Sequence, residues 1–329
     1  MMRITTRVFT AAWLALGGAT AASAQSSPVD LADLSLAELI AVDVIPDGEV
    51  PPDARRWRAD YNYVRVDFEG YRDGTTDVPL TELLGPPRGG TFPVLPTKIV
   101  QEAHVFQLSY DLPRRTSLSV AVPYIRQSTD HISVVPGYSS FNIMSDGIGD
   151  VAMTFSHRPR ETQRHSFAWT VGASVPSGSI DEEGDTPRDT GRPAEQLPYT
   201  MQLGSGTYDL ILGATYGGSS DPVAKLGPVG YGAQLSGKIR LGTNARDYSL
   251  GDLYLASLWA SVRPVPWLEP RVTVRTQIWD DISGADTSLQ PAPGVFPAPV
   301  TNPALFGGEK VSLVLRPLTR ISLSSPVVP

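Results

Sequence analysis

The sequence contains no cysteine, which excludes disulfide bonds, thiolate metal sites and a cysteine nucleophile. A surplus of basic residues is also missing, because 27 lysines and arginines stand against 34 acidic residues, a formal net charge of −7. Proteins that bind nucleic acid carry a basic patch or stripe, so we expect no nucleic-acid partner.

Long hydrophobic runs are absent after residue 24. No stretch of 18 or more apolar residues follows, which excludes a membrane protein built of helices. The mean hydropathy is −0.09, close to zero. Two classes fit this value: a soluble secreted β protein, and an outer-membrane β-barrel whose strands are apolar on only one face.

Side chains that build active sites are scarce as well. The four histidines are His104, His131, His157 and His165, and no serine–histidine pairing, glycine-rich phosphate loop or HExxH motif accompanies them. We therefore predict that the chain is not an enzyme, with no cofactor and no metal centre. The acidic segment 181–185 has two interpretations, a divalent-cation site near lipopolysaccharide and a solvated loop, of which the solvated loop is favoured.

The first 24 residues have the three parts of a secretory signal peptide. Arg3 and Arg7 give a positive start, residues 8–22 form a short apolar run, and Ala22-Ser23-Ala24 is a small-x-small cleavage site. Cleavage would remove only the two arginines among the charged residues and leave 25 basic against 34 acidic side chains. We therefore expect an exported protein.

Residues 25–56 differ from the rest of the chain. Leu31, Leu34, Leu39 and Val42 recur at helical spacing, which predicts a short amphipathic helix, and a proline- and acid-rich linker follows. We interpret this segment as a periplasmic N-terminal extension; a tail without function fits it as well.

From Trp57 onward, apolar and polar residues alternate with period 2, which indicates β-strands. The segment 268–278 is the clearest, because its even-numbered positions are mostly apolar and its odd-numbered positions are charged or polar. The alternation predicts eleven strands: 57–69, 98–112, 116–126, 147–157, 165–176, 207–217, 228–241, 252–263, 267–279, 309–316 and 320–328.

Strand length and loop length separate a barrel from a sandwich. Most predicted strands have about 9 to 13 residues, whereas strands of soluble proteins average about 5 to 6 and tilted transmembrane strands need about 9 to 11. Short and long connections alternate, as do the periplasmic turns and extracellular loops of outer-membrane barrels. Tyrosine and tryptophan cluster at strand ends, as in the aromatic girdles of such barrels. The long loops are 71–97, 126–146, 177–206, 242–251 and 280–308.

We therefore predict an all-β fold, an antiparallel transmembrane β-barrel over residues 57–329. A single-chain bacterial barrel has an even number of strands, so about twelve are expected and eleven are present in this chain. The segment 324–329 lacks the terminal aromatic residue usual in barrel proteins. We expect the last loop and strand to be missing from the sequence; the alternative is that one strand is wrongly merged or assigned, and 57–69 has the weakest pattern.

Four short motifs occur in an order that resembles a known family. From Trp57 to the C-terminus, the chain is similar to the family described as "MetA-pathway of phenol degradation" proteins of the outer membrane. The resemblance implies a β-barrel and the passage of aromatic or other hydrophobic small molecules, and it brings no functional residues with it. The motifs are Val120-Ala121-Val122-Pro123-Tyr124, Ser145-Asp146-Gly147-Ile148-Gly149-Asp150-Val151, Ala173-Ser174-Val175-Pro176-Ser177-Gly178 and Leu203-Gly204-Ser205-Gly206-Thr207-Tyr208-Asp209.

Functional side chains of a barrel would point into its lumen, as every second residue of a strand does. If Lys238, Arg240, Arg271 and Arg275 formed one continuous row, a basic ladder, this row would bind anions or the faces of aromatic rings. The alternative, that these cations pair with lumen carboxylates and fill the barrel, is favoured because buried charges are normally paired. The predicted lumen-lining charges are Asp111, Asp150, Asp209, Lys238, Arg240, Glu269, Arg271 and Arg275.

The sequence thus predicts an outer-membrane transporter or channel for small molecules, aromatic or hydrophobic ones included. Two alternatives stay open: a structural or adhesive outer-membrane protein that acts through its extracellular loops, and a soluble secreted β-sandwich binding protein. The expected partners are outer-membrane lipid, lipopolysaccharide, the barrel-assembly machinery and a small-molecule substrate.

Overall fold

Long β-strands dominate the chain. The computed structural model describes residues 3–12, 56–73, 76–85, 92–162, 164–187, 194–223, 227–265, 268–289, 303 and 308–319. Twelve strands belong to the main sheet: β1 (Arg3–Ala12), β2 (Arg56–Glu69), β3 (Val94–Leu112), β4 (Thr116–Ser133), β5 (Ser140–Ile148), β6 (Val151–Glu161), β7 (His165–Val175), β8 (Tyr208–Pro222), β9 (Pro228–Leu241), β10 (Leu253–Val262), β11 (Leu268–Trp279) and β12 (Gly308–Thr319).

All twelve strands form one antiparallel sheet. Their order is β1-β2-β3-β4-β6-β7-β8-β9-β10-β11-β12, and β5 pairs with the second half of β4. Apart from β4 and β6, which have β5 between them in the chain, strands that are neighbours in the sheet are neighbours in the chain, which is the arrangement of a β-meander. The predicted all-β class is confirmed, and the long strands lie in one sheet rather than in the two packed sheets of a sandwich.

Strands β5 and β6 continue one another along the edge of β4. Strand β5 pairs with the second half of β4, and β6 pairs with its first half. Gly149 and Asp150 interrupt the two strands, and the amide of Gly149 donates to the carbonyl oxygen of Pro123 at 2.9 Å. The long loop predicted over 126–146 is wrong, because β4 extends to Ser133 and pairing resumes at Ser140.

Ten of the eleven predicted strands are present, with shifted ends. The eleventh, 320–328, and the helix predicted within 25–56 lie outside the described residues. Strand β1 was not predicted, since it falls in the segment interpreted as a signal peptide; it pairs with β2 from Arg3↔Glu69 to Ala12↔Asp60. A chain processed after Ala24 would lack this strand, and that edge of β2 would then need another partner.

The sheet is strongly curled. Leu255 of β10 lies in the same cluster of buried side chains as Val64 and Val66 of β2. Seven inter-strand steps separate β2 from β10 in the sheet order, which would place them about 34 Å apart in a flat sheet. The curl therefore brings distant strands together across a concave face.

The two faces of the sheet differ in polarity. On the convex face, apolar side chains are exposed; the exposed fraction is 63% for Leu258 and 47% for Leu118. On the concave face, polar side chains are buried, and Ser109 and Asp111 have no exposed surface. This polarity is the reverse of that in a soluble protein, whose buried face is apolar.

Three long connections pack together at one end of the concave face. We call residues 177–187, 194–206, 243–250 and 281–289 the cap. The cap contains short two-residue strand pairs and the single turns of 3-10 helix Tyr199–Met201 and Thr287–Leu289. No helix in the described ranges is long and apolar enough to cross a bilayer.

Candidate functional site: the concave face and its cap

The concave face carries the polar residues that the period-2 pattern assigns to one side of each strand. They are hydroxyl and amide side chains for the most part, so they can form hydrogen bonds to one another and to water. Ser109 and Ser119 pair across β3 and β4 at 2.9 Å between their hydroxyl oxygens, and Ser156 pairs with Thr170 across β6 and β7 at 2.7 Å. These two contacts show buried polar side chains on one face of β3, β4, β6 and β7.

Asp209, Lys238 and Arg240 form a buried ionic cluster on β8 and β9. Register places Arg240 directly opposite Asp209. The Asp209 carboxylate lies 2.6 Å from Arg240 Nη1 and 3.2 Å from Lys238 Nζ, and it accepts a hydrogen bond from the Thr207 hydroxyl at 2.8 Å. Two cations thus share one fully buried carboxylate, which keeps both positive charges close to a counter-charge.

Glu269 forms a second ionic cluster near the opposite ends of the strands. Its carboxylate lies 2.5 Å from Arg263 Nη2 and 3.9 Å from Arg271 Nη2, and it accepts a hydrogen bond from Ser261 at 3.0 Å. Further along β11, Arg275 Nε donates to the Ser257 hydroxyl at 3.4 Å.

The four predicted lumen cations do not form one ladder. Lys238 pairs with Leu253, and Leu253 pairs with Trp279, so Lys238 is level with the end of β11. Arg275 is four residues from that level, or about 13 Å along the strand, and Arg271 is further away. The strand register therefore separates the basic residues into two groups: Lys238 and Arg240 share Asp209, whereas Arg271 lies near Glu269 and Arg275 contacts Ser257.

Asp111 and Asp150 have different roles on the concave face. Asp111 has no exposed surface and lies 2.9 Å from Arg58 Nη2 on the neighbouring strand. Asp150 accepts hydrogen bonds from the amide of Gly178 at 3.0 Å and from the amide and hydroxyl of Ser205, both at 2.7 Å. Asp150 is thus a fastening point for the cap.

The cap also touches the concave face through main-chain groups. The Ser145 hydroxyl donates to the carbonyl oxygen of Met201 at 2.7 Å, and the Gln127 amide donates to that of Gln202 at 3.4 Å. Both donors belong to strands, so the segment around the Tyr199–Met201 turn rests directly on the wall. The cap therefore covers one end of the concave face.

Arg246 joins the three connections of the cap. Its guanidinium lies 2.6 Å from Asp181 in the first connection and 3.2 Å from Asp286 in the third. The amide of Asp286 in turn donates to the Tyr199 hydroxyl at 2.9 Å. Burial raises the pKa of Tyr248, whose ring contacts that of Tyr199 at a centroid distance of 4.8 Å, above its ordinary value.

The acidic segment 181–185 is used for pairing within the protein. Asp181 pairs with Arg246, and Asp185 accepts a hydrogen bond from the Tyr138 hydroxyl at 2.5 Å. This hydrogen bond raises the pKa of Tyr138. Within the described ranges, no three histidine or acidic side chains are grouped in a way that could hold a metal ion.

An apolar cluster on the concave face was missed by the sequence analysis. Its members occupy inward positions on β2, β3, β4 and β10, together with one residue of the cap. The signal that could have revealed it is the loss of clean alternation, since Ala103–Phe106 and Ala121–Ile125 carry apolar residues at both parities. The apolar cluster consists of Val64, Val66, Ala103, Val105, Ala121, Ile125, Leu203 and Leu255.

Comparison with known proteins gives no family assignment: no protein-family model and no curated protein sequence matches the chain. The resemblance to the phenol-degradation family therefore stays a prediction. The features that bear on function are the two faces of the sheet, the cap and the apolar cluster.

Proposed function

We propose that the chain is an exported outer-membrane β-barrel through which small molecules pass. The observation that carries this proposal is the polarity of the curled sheet, with exposed apolar side chains outside and buried polar side chains inside. In water, an exposed apolar belt of this extent would drive association. In a bilayer, the same belt lies against lipid, and the polar face lines a lumen.

The placement of aromatic side chains supports a bilayer around the convex face. The short turns lie at the end of the sheet opposite the cap, which we call the short-turn end. Near it, Trp57 and Tyr110 pack at a centroid distance of 4.7 Å. Tyr208 and Tyr254 lie near the cap, at the first residues of β8 and β10. Amphipathic aromatic rings favour the two headgroup levels of a membrane.

The chemistry of the concave face supports a hydrated lumen. Several buried polar atoms, among them Arg240 Nε, Ser174 Oγ and Thr154 Oγ1, have no hydrogen-bond partner within the described ranges. Leaving such atoms without a partner is unfavourable, so we expect water molecules bound between the inward-facing side chains to complete their hydrogen bonds. Passage of small molecules is therefore favoured over a purely structural role.

Membrane insertion is tested by expressing the full chain with its own residues 1–24. We expect the protein in the outer-membrane fraction, with Gln25 as its first residue and with slower migration on gels after heating. Recovery of the processed chain as a monomer in buffer without detergent would contradict the proposal, because the exposed belt would then have no lipid to cover it.

Passage is tested separately with purified protein in planar bilayers and in vesicles that contain a small solute. We expect discrete conductance steps and solute flux that depend on the protein. An inserted, heat-modifiable protein without either would reject transport and favour the structural or adhesive alternative.

A further inference from the structure

The apolar cluster is the largest group of buried apolar side chains in the described ranges, on a concave face that is mostly polar. Val64 and Val66 on β2, Ala103 on β3 and Ile125 on β4 are each at most 2% exposed. Three neighbouring strands thus present a continuous apolar wall inward. Aliphatic side chains gain nothing from facing a hydrated lumen, so this wall needs an apolar occupant.

Part of that occupant is Leu203, which comes from the cap. Its side chain is 4% exposed and packs in the apolar cluster. A Cβ atom at Gly147 would lie 2.9 Å from Leu203 Cδ1, and a Cβ atom at Gly149 would lie 3.1 Å from the Leu203 carbonyl oxygen. A side chain larger than that of glycine at either position would therefore crowd Leu203.

Leu255 closes the apolar cluster from the opposite side of the curl. It belongs to β10 and is 4% exposed, although the neighbouring inward position in the same strand, Ser257, is polar. The cluster thus bridges two walls of the concave face. A solute that moves along this face beneath the cap meets an apolar site filled by Leu203.

The loop that carries Leu203 is held by polar contacts on both sides of it. The amide of Leu203 donates to the carbonyl oxygen of Ser179 at 2.9 Å, and Ser205 is bound by Asp150. Leu203 is therefore presented by a short loop rather than by a strand of the sheet. Such a loop can withdraw without breaking strand pairing.

We propose that the apolar cluster is a binding site for a small neutral aromatic or aliphatic molecule, and that Leu203 is the stopper that such a molecule displaces. The inference rests on the proposed passage of small molecules and names the substrate class and the residues that select it. The side chains that line the cluster are aliphatic, so a neutral solute is favoured over an anion or a cation.

The cysteine-free chain allows a direct test with one introduced thiol. Val105→Cys places that thiol in the apolar cluster, and its labelling by N-ethylmaleimide is followed with purified protein in detergent. We expect Leu203→Ala to speed labelling by roughly tenfold, because removing the stopper opens the site. Saturating naphthalene should then slow the labelling again by occupying the vacated space.

A matched control is Leu197→Ala, a fully buried leucine of the cap that packs with Ile143 and Met201 instead. It should leave labelling of Val105→Cys unchanged. Leu203→Val, a smaller truncation, should give an intermediate rate and keeps the test available where Leu203→Ala does not fold. Equal labelling in all variants, or no protection by naphthalene in Leu203→Ala, would overturn the binding site.

The labelling experiment tests the binding site and the flux experiment tests passage, so a negative result in one leaves the other claim standing. Protection by naphthalene without solute flux in vesicles would keep the site and reject passage. Flux without protection would keep passage and reject this site.

Discussion

The carboxylate of Asp150 accepts two hydrogen bonds from Ser205, one from its amide and one from its hydroxyl, both at 2.7 Å. Asp150 lies where β5 gives way to β6 in the wall, whereas Ser205 belongs to the cap. The interruption between β5 and β6 therefore directs the Asp150 carboxylate toward the cap. The hydrogen bonds that this carboxylate accepts attach the cap to the concave face.

Replacing Asp150 with alanine should loosen the cap. The amides of Gly178 and Ser205 would lose their acceptor, and each buried donor left unpaired costs about 1–3 kcal/mol. We expect a lower urea midpoint for the heat-modifiable form and faster labelling of Val105→Cys.

Asp146→Ala is the control for Asp150, since Asp146 is exposed on the convex side and binds the Tyr124 hydroxyl at 2.6 Å. It should change stability by no more than about 0.5 kcal/mol. An equal effect of the two substitutions would show that Asp150 has no special role in fastening the cap.

Arg246 is expected to hold the three connections of the cap in one arrangement. In Arg246→Ala, Asp286 would stay largely buried without this cation, and the link between Asp181 and Asp286 would be lost. Limited proteolysis should then cut within 177–206 at a faster rate, while the strands stay resistant.

The matched control for Arg246 is Arg164→Ala at the short-turn end, where Arg164 pairs with exposed Asp221. Exposed ion pairs contribute about 0–1 kcal/mol, so this variant should be cut like the parent protein. Faster cutting in both variants would indicate general destabilisation rather than release of the cap.

Asp209 should control the charge selectivity of the lumen. In Asp209→Asn, Lys238 and Arg240 lose the carboxylate they share, and removing one partner from a buried ionic group costs about 3–5 kcal/mol. If the protein conducts ions, the reversal potential in a salt gradient should shift toward anion selectivity. Asp221→Asn, outside the concave face, should leave the reversal potential unchanged, and an identical shift there would argue against the cluster.

The strands and their inward faces could be predicted from the sequence, but the contacts between distant segments could not. The alternation of apolar and polar residues over 268–278 identifies β11 and assigns Glu269, Arg271 and Arg275 to one face. Asp150 and Ser205 are 55 residues apart, and no local pattern encodes their meeting. The partners of the charged side chains on the concave face likewise depend on strand register, which alternation alone does not fix.

The extension of β4 and β5 was missed for a related reason. Long connections are typical of the extracellular side of barrels, and polar residues such as Asp130 and Asn142 made the segment resemble a loop. In the structure these two residues pair across the strands, with Asn142 Nδ2 donating to Asp130 Oδ1 at 2.7 Å. Over residues 126–133 both faces of the strand carry mostly polar residues, so the alternation of apolar and polar residues does not mark this part of β4.

Tyr71 should make stability depend on pH in the alkaline range. Burial raises the pKa of Tyr71 to about 12, and its hydroxyl donates to the carbonyl oxygen of Pro96 at 2.6 Å. The pKa in the unfolded chain is about 10, so the neutral hydroxyl stabilises the fold fully below about pH 10, and this contribution is lost as the pH rises through about 12. In Tyr71→Phe, the loss of stability between these values should be smaller, and the absorbance titration should lack one tyrosine of the late phase. A titration unchanged by the substitution would contradict the assignment.

Arginine substitutions on the convex face should reveal the depth of each site in a bilayer. Leu258 lies in the middle of β10 and Leu241 at the end of β9, and their exposed fractions are similar at 63% and 53%. In a membrane, Leu258→Arg should cost about 2–4 kcal/mol and Leu241→Arg only about 0–1 kcal/mol, since the penalty falls from the midplane to the interface. In water, both are surface substitutions worth less than about 0.5 kcal/mol. Urea unfolding in lipid vesicles, followed by the heat-modifiable band, measures both costs. Two small and equal costs would mean that lipid does not cover the belt, whereas a large difference between two similarly exposed leucines has no explanation in a soluble sheet.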